Sequence, residues 1–377
     1  MKLLNNLEGI GFYTLSDNRA KNLSLSSPLY RCEMILTDRC NFKCPYCRGL
    51  REDLKGDMDF NQALQTIKYW VADGLKNIRF SGGEPTLYKK LIDLISFCKD
   101  NGVERIAIST NGASSMSLYR RLISAGVNDI SISLDACCSA TGDTMAGVKG
   151  SWNKVIKNIE ELSKMTYVTA GMVFTEQNIE RCIESVMFAK SLGVSDVRVI
   201  PSAQYNMALA KLSKLPDEIL NQYPILKYRI NNVKNDRHVR GIVDEDCDKC
   251  YIVLDDMAVA QDKHFPCIIY MREKGNPIGT VGPNMRAERY EWFKKHNSKQ
   301  DEICRVNCLE CLCHHNNTVE VLRTVGRKIT KRSGKPFKSG NKIGTIKDVK
   351  INPHSNKPGF LLEDGSVVNQ DVCLFME

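Results

Sequence analysis

Three cysteines fall within eight positions of the stretch DRCNFKCPYCRGL (38–50): Cys40, Cys44 and Cys47, directly after the apolar run CEMILT. A structural zinc site usually draws on four protein ligands, often as two separated pairs, and no histidine stands near this loop to complete a set. Three thiolates leave a metal position open. Thiolates also suit iron-sulfur clusters, and a cubane held by three cysteines keeps one iron free for an outside ligand. Seven more cysteines return downstream, at Cys247, Cys250, Cys267, Cys304, Cys308, Cys311 and Cys313. Sixteen cysteines in a 377-residue chain without an apolar signal-peptide core point to metal or cluster ligation in a reducing compartment, so the cytoplasm is expected. No stretch approaches the ~18 apolar residues of a membrane span, and no membrane partner is expected.

Such a loop needs a scaffold, and the pattern from 31 to about 201 supplies one. Short apolar strands alternate with amphipathic helices: CEMILT (32–37), NIRF (77–80), ERIAIST (104–110), DISISL (129–134), YVTAGMVF (167–174) and DVRVIP (196–201). Between them lie a helix with Phe60, Ala63, Leu64, Ile67 and Val71 on one face, another carrying Leu91, Leu94, Ile95 and Cys98, and helices over 115–125, 152–164 and 178–192. Six strand-helix units imply a parallel sheet, either doubly wound or a partial barrel, with chemistry at the carboxyl ends of the strands. Cys98 and Cys182 lie on apolar helix faces and read as core residues, while Cys137 and Cys138 follow the fourth strand and could face a site.

The Cys-x3-Cys-x2-Cys spacing, with the aromatic Tyr46 before its last cysteine, strongly resembles the hallmark of the radical SAM superfamily. SGGEP (81–85), after the second strand, resembles the family's GGEP motif, which implies that Gly82, Gly83, Glu84 and Pro85 meet the methionine end of the cofactor, with Glu84 accepting from its ammonium group. STNG (109–112) and SISLDA (131–136) resemble segments that contact its carboxylate and ribose, making Ser109, Asn111, Ser133 and Asp135 the candidates, with Tyr46 beside them. The resemblance covers roughly 31–201. It implies a partial (β/α)6 TIM-like barrel, a 4Fe-4S cluster on Cys40, Cys44 and Cys47 whose free iron is chelated by S-adenosyl-L-methionine, and cleavage to a 5'-deoxyadenosyl radical that abstracts hydrogen. It further implies a flavodoxin- or ferredoxin-type electron donor.

The downstream cysteines resemble the auxiliary-cluster region, SPASM in its long form and twitch in its short form, appended to many members of that superfamily. Cys250 and Cys267 fit the ends of its hairpin, with Asp262 where the family has a turn glycine, and Cys-x3-Cys-x2-Cys-x-Cys replaces the long form's second motif. One auxiliary 4Fe-4S cluster is expected, held by Cys250, Cys267, Cys308 and Cys311, with Cys247, Cys304 and Cys313 as spare or alternative ligands. A zinc ribbon is the alternative occupant. His314 and His315 read as surface residues.

The expected organisation is an N-terminal extension (1–30), the core (31–205), a largely helical connector (206–240), a smaller cysteine-rich auxiliary domain (241–320) and a small basic β module (321–377). The net charge of +9 resides wholly between Arg323 and Lys350, where ten Lys or Arg meet one acid, Asp348. That stretch is a candidate docking segment for an anionic partner, nucleic acid or a phosphorylated ligand. The substrate is expected to be a peptide or a nucleoside- or sugar-type small molecule. Only about thirty residues precede the first strand, which counts against a leader-binding domain and hence against a peptide. A zinc-stabilised nucleic-acid binding protein without catalysis is the alternative from a different class.

Overall fold

The computed structural model describes residues 29–332, apart from 203 and 238, with side chains through residue 320 and at Arg323, followed by the backbone of six short strands between 337 and 375. The expected N-terminal extension therefore lies outside the described residues, save its last two positions.

Six parallel strands form the core: β1 (Arg31–Ile35), β2 (Asn77–Ser81), β3 (Arg105–Thr110), β4 (Asp129–Ser133), β5 (Tyr167–Met172) and β6 (Asp196–Val199). They lie side by side in chain order. The helices between them are α1 (Phe60–Ala72), α2 (Leu91–Asp100), α3 (Met116–Ala125), α4 (Ser139–Ala146), α5 (Ser151–Leu162) and α6 (Cys182–Ser191). Right-handed crossovers joining strands in unreversed order place all the helices on one face, which is the partial barrel and excludes the doubly wound alternative, whose strand order reverses. The sheet does not close on itself.

Side-chain alternation states the same thing in residues. Met34, Phe80, Ile108, Ile132, Ala170 and Val197 are each fully buried, and they join the helices in one apolar cluster with Ile67, Leu94, Cys98, Leu122, Ile159 and Cys182. Their neighbours on the other face are Glu33, Arg79, Ser109, Asp129, Ser131, Thr169 and Arg198. One face of the sheet thus drives folding by apolar burial, and the other lines a polar lumen.

The expected connector forms α7 (Tyr205–Leu212), α8 (Asp217–Leu220) and α9 (Pro224–Lys234), whose Leu209, Leu212, Leu226 and Ile230 belong to the core cluster. The cysteine-rich region adds β7 (Asp256–Ala260), β8 (Lys263–Phe265) and β9 (Gly279–Thr280), with α10 (Ile268–Arg272), α11 (Met285–Lys295), α12 (Glu302–Asn307) and α13 (Glu310–Arg332). Strand β7 pairs parallel to β1 in full register, from Arg31 opposite Asp256 to Ile35 opposite Ala260, so the auxiliary region continues the core's own sheet. Helix α13 runs through the expected 320/321 boundary. The charged side chains of the basic tail beyond Arg323 lie outside the described residues. Its backbone forms two three-stranded sheets, one of β10 (Phe337–Ser339), β11 (Lys342–Gly344) and β15 (Leu374–Phe375), the other of β12 (Ile346–Ile351), β13 (Pro358–Leu362) and β14 (Val367–Asn369). These strands fall within the expected β module, β12 in the segment GTIKDVKINP and the β13–β14 pair around GFLLEDGSVV.

Candidate cluster and cofactor site

The cysteine loop leaves the carboxyl end of β1 and is fastened before it reaches its first thiol. Thr37 Oγ1 donates to Asp57 Oδ1 at 2.6 Å, and Arg39 holds the same carboxylate with two bonds of 2.9 and 2.7 Å. Gly83 N–H donates to Thr37 O at 2.7 Å and Glu84 N–H to Arg39 O at 2.8 Å. Only glycine fits there. A Cβ on Gly83 would stand 2.4 Å from Arg39 O, and one on Gly82, whose φ is +151°, 2.4 Å from Thr37 O. The close approach that these glycines permit is therefore to the cysteine loop itself, which they clamp to the end of β2.

Glu84 is fully buried, and four chain donors surround its carboxylate. Oε1 accepts from Thr86 N–H (3.1 Å), Thr86 Oγ1 (2.6 Å) and Thr110 Oγ1 (2.8 Å), and Oε2 accepts from Asn111 N–H (2.7 Å). Burial raises its pKa, and these donors oppose the shift. In this arrangement Glu84 ties the ends of β2 and β3 together, and Oε2 retains acceptor capacity. Pro85 opens the single turn 85–87 that follows.

Of the three thiols, Cys40 and Cys47 are exposed and Cys44 is half-buried. Phe42 N–H donates to Cys40 Sγ at 3.4 Å and Asn111 Nδ2 lies 3.9 Å from it. Burial pushes the Cys44 thiol up to about 11. Beside the loop is a pocket lined by Phe42, Cys44, Tyr46, Asn111, Ser133, Asp135 and Trp152. Tyr46 donates its hydroxyl to Asp135 Oδ2 at 2.5 Å, and Val173 N–H donates to Oδ1 at 2.7 Å. Burial lifts the Asp135 carboxyl to about 6. Trp152 is fixed by its Nε1–H bond to Ala136 O at 3.0 Å and by stacking on Phe188 at 5.5 Å. A cation with an amino acid end and an aromatic end finds carboxylate, amide, hydroxyl and ring partners in this pocket.

Of the residues named from sequence, the pocket brings together Tyr46, Asn111, Ser133 and Asp135 with Cys44. Ser109 instead faces the lumen, where it accepts from Arg79 Nη1 at 3.1 Å. Phe42 and Trp152 were missed, as was the short helix α4, whose Ala146 O accepts from Lys43 N–H at 2.9 Å and so braces the loop from the far side. Cys137 and Cys138 are half-buried, and Arg181 Nη1 lies 3.4 Å from Cys138 Sγ.

Polar lumen residues were also missed, although the alternation in the strands signals them. Arg79 and Arg105 share Asp129 at 3.2 and 3.1 Å, and the buried Arg229 pairs with Glu310 at 3.0 Å. Arg198 is different. It lies half-buried on the lumen face of β6, its Nε is enclosed without a hydrogen-bond partner, and among the described residues no carboxylate comes within ion-pair distance of it. Burial and the nearby Arg79 and Arg229 charges depress its pKa to about 10, against the pull of Glu33.

In the auxiliary region, Cys250 and Cys267 end the β7–β8 hairpin, Cys304 and Cys308 belong to α12 and its C-terminal cap, and Cys311 lies in the first turn of α13. Burial raises the pKa of Cys250 to about 12 and of Cys267 to about 11. Among the described residues no three thiols of either group converge within 4.8 Å. The expectation for the two histidines is corrected: His315 is 2 % exposed, and His314 is half-buried with Nδ1 3.3 Å from Tyr228 Oη, because both belong to the first turns of α13, which pack inward.

A sequential parallel partial barrel with a three-thiolate loop at the end of its first strand defines a cluster-bearing α/β enzyme. Residues 34–189 match the radical SAM superfamily, whose 4Fe-4S cluster and S-adenosylmethionine the loop and pocket fit. A probable GTP 3',8-cyclase of Metallosphaera sedula is 29% identical over 177 residues, which is 46% of this chain and 56% of that protein. The chain spans about half to seven tenths of the length of the first such curated relatives. Two solved structures share the fold: Streptococcus suis SuiB bound to precursor peptide SuiA (TM-score 0.55, 15% identity, 81% of this chain and 75% of that one) and native anSMEcpe with bound AdoMet (TM-score 0.53, 17% identity, 80% and 98%). These similarities favour an enzyme over a zinc-stabilised nucleic-acid binding protein. Among the described residues no helix is long and apolar enough to cross a membrane.

Proposed function

We propose that the chain reductively cleaves S-adenosylmethionine at a cluster held by Cys40, Cys44 and Cys47, and abstracts a hydrogen atom from a small anionic substrate of the nucleotide class held in the barrel lumen. The observation that carries the cleavage half is the loop: three thiols within eight positions, clamped by Gly82 and Gly83, beside a pocket with Cys44, Asn111, Ser133 and Asp135 on its wall. When bound, the cluster and S-adenosylmethionine supply a reducing electron and a hydrogen-abstracting radical, the electron coming from a flavodoxin- or ferredoxin-type donor. The chain's own residues orient. Tyr46 holds Asp135 in place, Asn111 reaches toward Cys40, and Trp152 and Phe42 offer aromatic surface that excludes water from the pocket.

The substrate half rests on Arg198, a guanidinium without a carboxylate partner in a lumen whose other arginines are paired, which suits a phosphate group. The curated relatives are named for a reaction on GTP, which agrees with that chemistry. The test is anaerobic incubation of the reconstituted protein with S-adenosylmethionine and dithionite, with and without GTP, following 5'-deoxyadenosine and product mass. Formation of 5'-deoxyadenosine that rises with GTP is expected. No 5'-deoxyadenosine under any condition overturns the cleavage reading, and cleavage indifferent to GTP and other nucleotides overturns the substrate reading.

A further inference from the structure

We propose that the auxiliary centre is a four-iron cluster ligated by Cys250, Cys267, Cys304 and Cys308, with Cys311 outside it, so that every iron carries a protein thiolate and none is open to substrate. This goes beyond the reading of the substrate as a nucleotide and does not depend on it.

The four thiols come from two half-sites. Cys250 and Cys267 stand at the two ends of the β7–β8 hairpin, and Cys267 Sγ accepts from Tyr270 N–H at 3.4 Å. Cys304 and Cys308 are four residues apart, with Cys308 N–H bonded to Cys304 O at 3.0 Å, which puts both on one side of α12. One residue joins the halves: Asp301 caps α12 by accepting from Cys304 N–H at 2.8 Å, and its other oxygen accepts from Tyr270 Oη at 2.9 Å. The Cys304 thiol feels the charges of Cys250 and Cys267, and the Cys308 thiol those of Cys313, Cys250 and Cys304.

Cys311 has other neighbours. It is buried in the core cluster, and the charges that act on its thiol are those of Glu310, Arg229, Arg198 and Cys313, with no hairpin cysteine among them. Cys313 lies 3.6 Å from Cys308 Sγ and 3.7 Å from Gly241 O, a peripheral position in which its S–H has a carbonyl acceptor. His296, Asp301 and Cys304 converge within 4.8 Å, and Asp301 there serves as the cap of α12 and the acceptor for Tyr270. Stacked on Trp292 at 3.9 Å, His296 points Nε2 at Cys304 Sγ from 3.6 Å, close enough to donate a hydrogen bond to a ligating sulfur.

The test uses the full chain with Cys40, Cys44 and Cys47 replaced by Ala, reconstituted anaerobically, so that only the auxiliary centre contributes and the outcome is independent of cleavage or substrate. Iron, sulfide and zinc content and the EPR spectrum of the reduced protein are read, with circular dichroism to confirm folding. About four irons per chain are expected in this background. Adding C311A keeps them, and adding C304A or C308A loses them. H296L keeps the iron and shifts the midpoint potential to a more negative value, because a hydrogen bond to a ligand sulfur favours the reduced state. Cyanide leaves the EPR signal unchanged when no iron is open. Loss of iron in C311A with retention in C304A overturns the ligand set. So does an unmoved potential in H296L, a cyanide-shifted signal, or zinc in place of iron. The C311A and H296L arms decide the matter even if C304A fails to fold.

Discussion

The two groups of thiols in this chain differ in almost every physical respect. The Cys40, Cys44 and Cys47 loop is exposed, carries three thiols, and is shaped from outside by the glycine clamp, Asp57 and α4. Cys250, Cys267, Cys304 and Cys308 are each half-buried, come from two elements fastened through Asp301, and number four. An exposed three-thiolate loop beside a pocket invites an outside ligand. A set of four thiolates, one for each iron, leaves no position for one. The comparison teaches that the same side chain serves opposite ends according to how many copies the backbone brings together and what it leaves open.

The largest expected effect falls on the loop. Replacing Cys40, Cys44 and Cys47 with Ala should reduce 5'-deoxyadenosine formation below detection while leaving about four irons per chain in the auxiliary region. Cleavage persisting in that variant would erase the distinction between the groups. A smaller effect is expected in the lumen between them. Arg198→Met should raise the KM for GTP roughly ten- to a hundredfold, as loss of a charged hydrogen bond worth about 1.5–3 kcal/mol implies, with little change in substrate-independent cleavage. An equal loss of both activities would make Arg198 part of the scaffold instead.

Gly83→Ala tests whether the clamp shapes the loop. The new Cβ would meet Arg39 O and Asp38 O at 2.4 and 2.5 Å, so a cost of about 1–3 kcal/mol is expected, read as a lower melting temperature together with lower iron occupancy of the first site only. Loss of iron from both sites would show that the groups are not independent. Least of all, Tyr46→Phe removes the hydroxyl bonded to Asp135 Oδ2 and should cost about 1 kcal/mol of stability. It should weaken S-adenosylmethionine binding severalfold and leave the iron content alone.

Much of this was legible in the chain. Strand-helix periodicity announced the six units because each strand buries an apolar face against amphipathic helices. The cysteine spacing located the loop because ligation is set by local sequence. Tertiary contacts were not legible in the same way. Glu84 reads as a ligand acceptor in GGEP, and only the folded strand ends show that Thr86, Thr110 and Asn111 donate to it. Cys304 and Cys311 are equivalent in a list of spacings, and only the packing of α12 against α10 separates them. His315 looked like a surface residue because nothing local says which way α13 turns. Helix α4 escaped notice because SATGDTMA has no apolar stripe. The lumen arginines could have been found, since DVRV and NIRFS each place a cation between apolar residues.

The pairing of β7 with β1 bears on how this protein can be cut. Strand β1, which carries the cysteine loop, is flanked on one side by β2 and on the other by a strand contributed from more than two hundred residues downstream. A fragment ending before residue 241 would keep every residue of the first site yet expose a bare, apolar parallel edge beside it, the kind of surface that pairs with other chains. Such a fragment should aggregate rather than behave as a minimal enzyme. Strands β1 and β7 therefore form one mechanical unit, and the first site borrows its rigidity from a segment far downstream in the chain.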